Sequence, residues 1–339
     1  MPNVASLKKW VRASSVSRAF LQVFLPDTPR IFVYHRFSKP NEGWKHRVDQ
    51  DTFKWQLEQL VKKFTVLTLK ECLEHYHKNG QWPPRCVVLT IDDGYRDFYH
   101  FAYPALHSLG LKATFFVTTA FIDKNIWLWP DRLDYALRNT IKTELVVELG
   151  KGLKKFPLVT ELDIFNTWKI LSDYCISIHN IDKWHFIDIV EKYLNVFVPE
   201  TPTKAYAAVT WDELQEMAKN GIEIGSHTVN HHLLSKIDLQ ESRKEIVESK
   251  LVLEKKLGQP VQTFCYPNSA PGDITDAVVR EVKDAGYIGA VFGTNLTRWT
   301  PYEIPRMGVS NDRDDFLAKL AGLEFAGMKL REALQRGRF

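Results

Sequence analysis

Cysteine is scarce in this chain and irregularly placed. Four occur in 339 residues, at Cys72, Cys86, Cys175 and Cys265. None stand at the short spacings of a zinc-finger or redox motif, and four in this length build no disulfide framework. The pattern predicts reduced thiols in a cytosolic compartment. Long apolar runs are missing too. No segment approaches the roughly 18–20 apolar residues of a membrane-spanning helix. The short stretch 19–25 is broken by Gln22 and followed by no small-residue cleavage site, which argues against a secretory signal. Charge of one sign is also lacking: the formal balance is +4 and the basic residues form no long run, so no nucleic-acid partner is expected. The remaining composition, 45% hydrophobic and 25% charged, is that of an ordinary globular protein.

The ends are more basic than the middle. Residues 1–36 carry Lys8, Lys9, Arg12, Arg18, Arg30 and Arg36 against Asp27 alone. Residues 6–25 read as an amphipathic helix, with Leu7, Trp10, Val11, Phe20, Val23 and Phe24 near one face. Such a helix either packs on its own domain, the commoner outcome, or lies on an anionic membrane surface. We set residues 1–28 apart as this helix.

Beyond it, short β-branched runs alternate with helical periodicity. Strands are predicted at 31–34, 86–91, 113–117, 222–225, 261–266, 288–292 and near 304–309. Helices are predicted at 51–63, after 94 to about 110, at 238–257 and at 274–285. Thr210 with Glu213 three residues on predicts a capping box. Strand, helix, strand at this pitch indicates a parallel α/β domain over 29–312. Residues 123–205 break the rhythm and read as a mainly helical insertion within it. Residues 313–339 read as a basic helical tail.

Three clusters carry chemistry, each where a strand ends. The first is Asp92-Asp93-Gly94. Two adjacent carboxylates after a buried strand are costly unless used, and one can bind a cation while its neighbour takes a proton. The second is His227-Thr228-Val229-Asn230-His231, two histidines four apart, read as facing one way on a helical turn. Together with an aspartate they supply three ligands and leave positions open, the pattern of a catalytic metal site. His232 is read as pointing elsewhere. The third is Tyr34-His35-Arg36, where His35 ends a strand next to the one that ends at Asp92. His35 is either structural or shares a cavity with Asp92.

These segments resemble a known family. Thr90-Ile91-Asp92-Asp93-Gly94-Tyr95, then Ala113-Thr114-Phe115-Phe116-Val117, then Gly225 through His231 followed by Leu234-Ser235, resemble the NodB-homology polysaccharide deacetylases, in order and over most of residues 30–310. The resemblance implies a distorted (β/α)7 barrel carrying a helical insertion. It implies a divalent metal, zinc first with Co2+ or Ni2+ as substitutes, held by Asp93, His227 and His231, with Asp92 as general base. Phe264-Cys265-Tyr266-Pro267 keeps the family's Tyr-Pro pair but lacks the arginine that usually precedes it. The Tyr266 backbone N–H is the implied oxyanion donor, and Arg306 is the candidate to replace the missing arginine beside Asp92. No histidine follows His232, so the family's late acid histidine is absent. The segment 33–36 is similar to the N-terminal Tyr-His segment of the biofilm poly-N-acetylglucosamine deacetylases, which implies His35 as general acid.

The expected reaction is hydrolysis of an acetamide on an N-acetylated sugar, in a glycan or in a lipid-linked or nucleotide-linked precursor. The expected location is cytoplasmic, with peripheral contact at the inner membrane face through residues 1–25. Two other readings stay open: hydrolysis of a different C–N bond, such as a formamide or cyclic ureide, and an inactive glycan-binding scaffold. Trp127, Trp129 and Trp299 are the candidate sugar-stacking platforms.

Overall fold

The computed structural model describes residues 29–322, apart from 41, 43–46, 151, 268–271 and 294–298. The predicted helix over 6–25 and the tail beyond 322 lie outside the described residues. The strands are β1 Arg30–Tyr34, β2 Arg36–Ser38, β3 Arg47–Asp49, β4 Thr65–Leu67, β5 Cys86–Ile91, β6 Ala113–Val117, β7 Glu144–Leu149, β8 Gly152–Pro157, β9 Ile222–Ser226, β10 Thr263–Cys265, β11 Gly289–Phe292, β12 Ile304–Pro305 and β13 Met307–Gly308. The α-helices are α1 Gln50–Leu60, α2 Leu69–Asn79, α3 Tyr103–Ser108, α4 Thr119–Asp123, α5 Trp129–Arg138, α6 Glu161–Ser177, α7 Asn180–Leu194, α8 Trp211–Lys219, α9 Leu239–Leu257, α10 Asp276–Asp284 and α11 Arg313–Leu320.

The main sheet runs in the order β12-β11-β10-β9-β6-β5-β1-β13, with all pairings parallel. β12 and β13 are halves of one strand parted by Arg306. The first half pairs with β11, Val291 opposite Ile304; the second pairs with β1, Phe32 opposite Met307. The last strand therefore bridges both ends of the sheet and closes it into the predicted seven-stranded barrel. β4 sits outside this ring, on the part of β5 that β6 leaves free. Its three residues, with Thr65 exposed, are too few and too wet to stand out in the sequence.

β5 and β6 are buried along their whole length. A parallel strand is covered on both faces, so it reads as a continuous apolar run without alternation. The core holds Phe32, Leu89, Phe115 and Phe264 inside the covering helices. At Gly225 of β9 a Cβ would come within 2.4 Å of the Phe116 ring, so only glycine lets β9 pack there. The predicted capping box is present: the Thr210 hydroxyl accepts from the Glu213 N–H, and the Glu213 carboxylate accepts from the Thr210 N–H.

Residues 123–205 are less purely helical than the sequence pattern predicts. β7 and β8 form an antiparallel hairpin within them. Leu145 and Val147 are buried between exposed Glu144 and Glu148, a period-two alternation, and Gly150 takes the positive φ that a tight hairpin turn favours. The hairpin and α5, α6 and α7 share a second core around Leu133, Leu137, Leu171, Phe186 and Val190. Buried charges tie this unit to the barrel. Arg36 donates from Nε to Asp97 at 2.6 Å and from Nη1 to Asp131 of α5 at 3.1 Å. The Tyr95 hydroxyl donates to the other Asp131 oxygen at 2.7 Å, and Tyr206 donates to Asp134 at 2.7 Å. Burial, with Asp134 and Asp93 close by, outweighs Arg36 and Tyr95 and pushes the Asp131 carboxyl up to about 7.

Candidate active site and metal centre

Because the barrel strands are parallel, their C-terminal ends open on one face, where barrel enzymes place reactive groups. β1 delivers His35 there, β5 Asp92 and Asp93, β9 His227, and β10 Cys265 and Tyr266. Backbone bonds fix the register: Asp92 N–H donates to Tyr34 O at 3.0 Å and His227 N–H to Val117 O at 3.0 Å.

Asp93, His227 and His231 converge, with their ligand atoms all within 4.8 Å of one another. Nε2 of His227 lies 3.4 Å from Asp93 Oδ1, and Nε2 of His231 lies 3.3 Å from the same oxygen. That oxygen is buried and has no hydrogen-bond partner. Two ligand atoms about 2.1 Å from a tetrahedral centre stand roughly 3.4 Å apart, so these residues fit a divalent metal such as zinc. The far nitrogen of His227, Nδ1, pairs with the Cys265 carbonyl at 2.8 Å, which orients Nε2 toward the site. Burial alone would raise the Asp93 carboxyl, but the facing imidazoles of His227 and His231 outweigh it and hold it well below the usual carboxylate range.

The histidine pair is not on a helical turn as the sequence reading has it. Residues 227–233 are a loop, with Thr228 and His231 in left-handed backbone at φ 66 and 57. The loop brings the two rings to 4.8 Å between centroids. It is clamped by Glu245 of α9, whose Oε2 accepts from the Val229 and Asn230 N–H groups at 2.9 and 2.8 Å. Asp93 itself sits at φ 78, a strained conformation for a non-glycine residue. His232 points away, toward Glu241 and Glu245.

Asp92 is buried beside the candidate metal ligands. Arg306 reaches it from the seam of the last strand, with Nη1 to Oδ1 at 2.7 Å and Nη2 to Oδ2 at 2.6 Å. The same guanidinium donates to Phe292 O and Thr90 Oγ1, both at 3.0 Å. Burial raises the Asp92 carboxyl, and Arg306 more than offsets it, so the group is held low and ionised. Asp92, His227 and Cys265 also lie close enough to be weighed as a metal set. It fits less well: burial pushes the Cys265 thiol up, and Arg306 already engages one lone pair on each Asp92 oxygen.

His35 faces Asp92, Nε2 to Oδ2 at 3.7 Å, and its side chain is 52% exposed. It therefore reaches both the carboxylate and the solvent side of the cavity. Tyr266 differs from its expected role. Its backbone N–H donates to Val291 O at 3.1 Å within the sheet, so in this arrangement it is not aimed at an oxyanion. The amide keeps the parallel pairing of β10 with β11 for one residue more.

A family model described as polysaccharide deacetylase matches residues 79–149 and 167–290, more than half of the chain. The chain belongs to the polysaccharide deacetylase family. A putative polysaccharide deacetylase of Bacillus subtilis (strain 168), YxkH, is 21% identical over 294 residues, covering 85% of this chain and 74% of that protein. A poly-beta-1,6-N-acetyl-D-glucosamine N-deacetylase of Staphylococcus aureus (strain MSSA476) is 30% identical over 200 residues. That match covers 57% of this chain and 65% of the relative, just under two thirds of its length. Among solved structures, the Streptococcus pyogenes deacetylase PplD in complex with acetate has a TM-score of 0.57 at 19% identity, covering 88% of this chain and 99% of that one, a likeness of fold.

In this polysaccharide deacetylase the candidate metal ligands, Asp92, His35 and Arg306 line one cavity of about 430 Å³, within the usual range for small-molecule sites. Its far wall comes from the insertion: Trp129, Asp131 and Asp134 of α5, and Trp168, Ser172 and Ile176 of α6. Of the three tryptophans expected as platforms, only Trp129 lines the cavity. Trp127 packs inside the insertion with its indole N–H on Pro199 O, and Trp299 packs against Trp82. Sequence reasoning missed Trp168 and Ser172 as cavity residues. Their spacing of four on a helix was the available signal, but it looks the same as core periodicity.

Proposed function

We propose that the chain is a metal-dependent hydrolase that removes the acetyl group from N-acetylhexosamine units of a glycan. The carrying observation is the pairing of an Asp93–His227–His231 ligand set with an arginine-clamped Asp92 in one cavity. The name of the staphylococcal relative, a poly-beta-1,6-N-acetyl-D-glucosamine N-deacetylase, supports this substrate class. We propose zinc as the native metal, with cobalt or nickel able to replace it.

Asp93, His227 and His231 would hold the cation, which supplies Lewis acidity toward an amide carbonyl and toward water. Asp92 is ionised and keeps lone pairs beyond those that Arg306 engages, so it can take the proton of the attacking water. Arg306 holds the carboxylate in one orientation. His35, across from Asp92 and open to solvent, delivers a proton to the departing amine nitrogen and is recharged from bulk water. The insertion wall excludes solvent from the opposite side.

Acetate release from β-1,6-linked N-acetylglucosamine oligosaccharides, measured with zinc-loaded protein and again after chelation, tests this reading. Loss on chelation and recovery with zinc are expected. Absence of acetate release with a full complement of zinc would sink it. An N-acetylated lipid-linked precursor, handled at the inner face of a membrane through the basic stretch 1–25, is a narrower proposal. Pelleting with anionic liposomes tests that part.

A further inference from the structure

We propose that the insertion furnishes a subsite for a neutral sugar unit adjoining the one that reacts, with Trp168 as its platform and Ser172 as its hydrogen-bonding group. The inference rests on the glycan reading above and deepens it.

Trp168, Ser172 and Ile176 recur every four residues along α6, so they form one stripe. All three line the cavity that holds the metal ligands. Trp168 is half-buried, and its indole N–H donates to Pro130 O at 3.0 Å, so the ring is oriented before a ligand arrives. One turn on, Ser172 is 7% exposed and its Oγ has no hydrogen-bond partner. Trp129, on the neighbouring helix, is also buried with its Nε1 unpaired. A buried polar group without a partner is uncommon, and a hydroxyl needs only to rotate about one bond to meet one. A sugar ring offers what such a wall lacks: an apolar C–H face for the indole and a rim of hydroxyls for the serine.

Charge narrows the class. The insertion side of the cavity carries Asp131 and Asp134. Arg36 is committed to Asp97 and Asp131, and Arg138 to Asp134 and Glu161. Lys183 lies against the Trp129 ring, 1% exposed, and does not line the cavity. Among the described residues that wall therefore offers no uncommitted cation to a phosphate. A neutral glycosyl unit fits; a sugar diphosphate does not.

The test uses calorimetric titration of the zinc-loaded full chain, with Asp92→Asn to stop turnover. The probes are N-acetylglucosamine, its β-1,6-linked disaccharide and UDP-N-acetylglucosamine. The disaccharide is expected to bind at least about tenfold more tightly than either other probe. Trp168→Ala should weaken the disaccharide by about tenfold and Ser172→Ala by about threefold, the worth of a stacked ring and of one neutral hydrogen bond. Ser172→Ala removes one oxygen and leaves the helix intact, so the test stands even if Trp168→Ala unfolds. The proposal is overturned if both variants bind the disaccharide like the parent, if the second sugar adds nothing, or if the sugar nucleotide binds best. Disaccharide binding weakened by the variants, without any acetate release from glycans, would remove the assigned reaction and keep the subsite. Acetate release with unaltered binding in the variants would do the reverse.

Discussion

Arg306 and Asp92 stand 214 positions apart in the chain and meet as a two-point ion pair, both side chains 3% exposed. A guanidinium presents a planar fork that matches both carboxylate oxygens, and an ammonium does not. Arg306→Lys is therefore expected to keep the charge and lose the alignment. We expect kcat to fall by about 10²-fold, the scale of a small misplacement in a reacting group, with KM changed far less. Steady-state kinetics on the oligosaccharide check this; a near-normal kcat would show that Asp92 needs no such hold.

His35 is half exposed, so its truncation leaves no enclosed cavity. His35→Ala should lower kcat by about 10²–10⁴-fold, the range for a general acid, while the melting temperature stays within a degree or two. If turnover survived, the leaving amine would be taking its proton from elsewhere.

Glu245 belongs neither to the Asp93–His227–His231 cluster nor to the cavity lining, yet it holds the loop that carries the two histidines. Its Oε2 takes two backbone N–H groups, and its Oε1 takes the Asn230 amide at 2.6 Å. Glu245→Ala should loosen zinc by about 10–100-fold, as for other supporting partners of metal ligands. Glu245→Gln should recover part of that. Competition with a fluorescent zinc chelator reads the affinity directly. Unchanged zinc affinity in both variants would make the clamp merely structural.

Asp131 gives folding stability a pH signature. Its carboxyl is raised to about 7 when folded, against an ordinary value near 4. Between those values the folded protein binds the proton more tightly than the unfolded chain, so this group's contribution makes stability fall as pH rises from about 4 to 7 and then level off. Asp131→Asn should remove that slope. Melting curves at intervals between pH 5 and 8 compare the two proteins, and identical profiles would contradict the raised carboxyl.

The barrel and the convergence of Asp93, His227 and His231 were legible because their signals are local. Buried parallel strands are continuous apolar runs, and Asp92-Asp93 and His227 through His231 each fall at a strand end. Arg306 beside Asp92 was also anticipated. The histidine turn was misread because four-residue spacing suits a helix, whereas the loop reaches the same end through left-handed Thr228 and His231. The oxyanion role of the Tyr266 amide was not met because its partner, Val291, comes from another strand. The hairpin within 123–205 was masked by the aromatic helices around it. The cavity wall of Trp168 and Ser172 was invisible because nothing local says which side of α6 faces the barrel mouth.

The strand that completes the ring is also the last of the described strands to be synthesised. A nascent chain extending only to residue 290 already contains every proposed metal ligand, but it lacks the guanidinium that steadies Asp92 and the segment that joins β11 to β1. Anchoring of Asp92 and closure of the architecture are thus one event, which waits until every other described barrel strand has been made, and a chain cut short of Arg306 is left with an open sheet edge and an unanchored carboxylate.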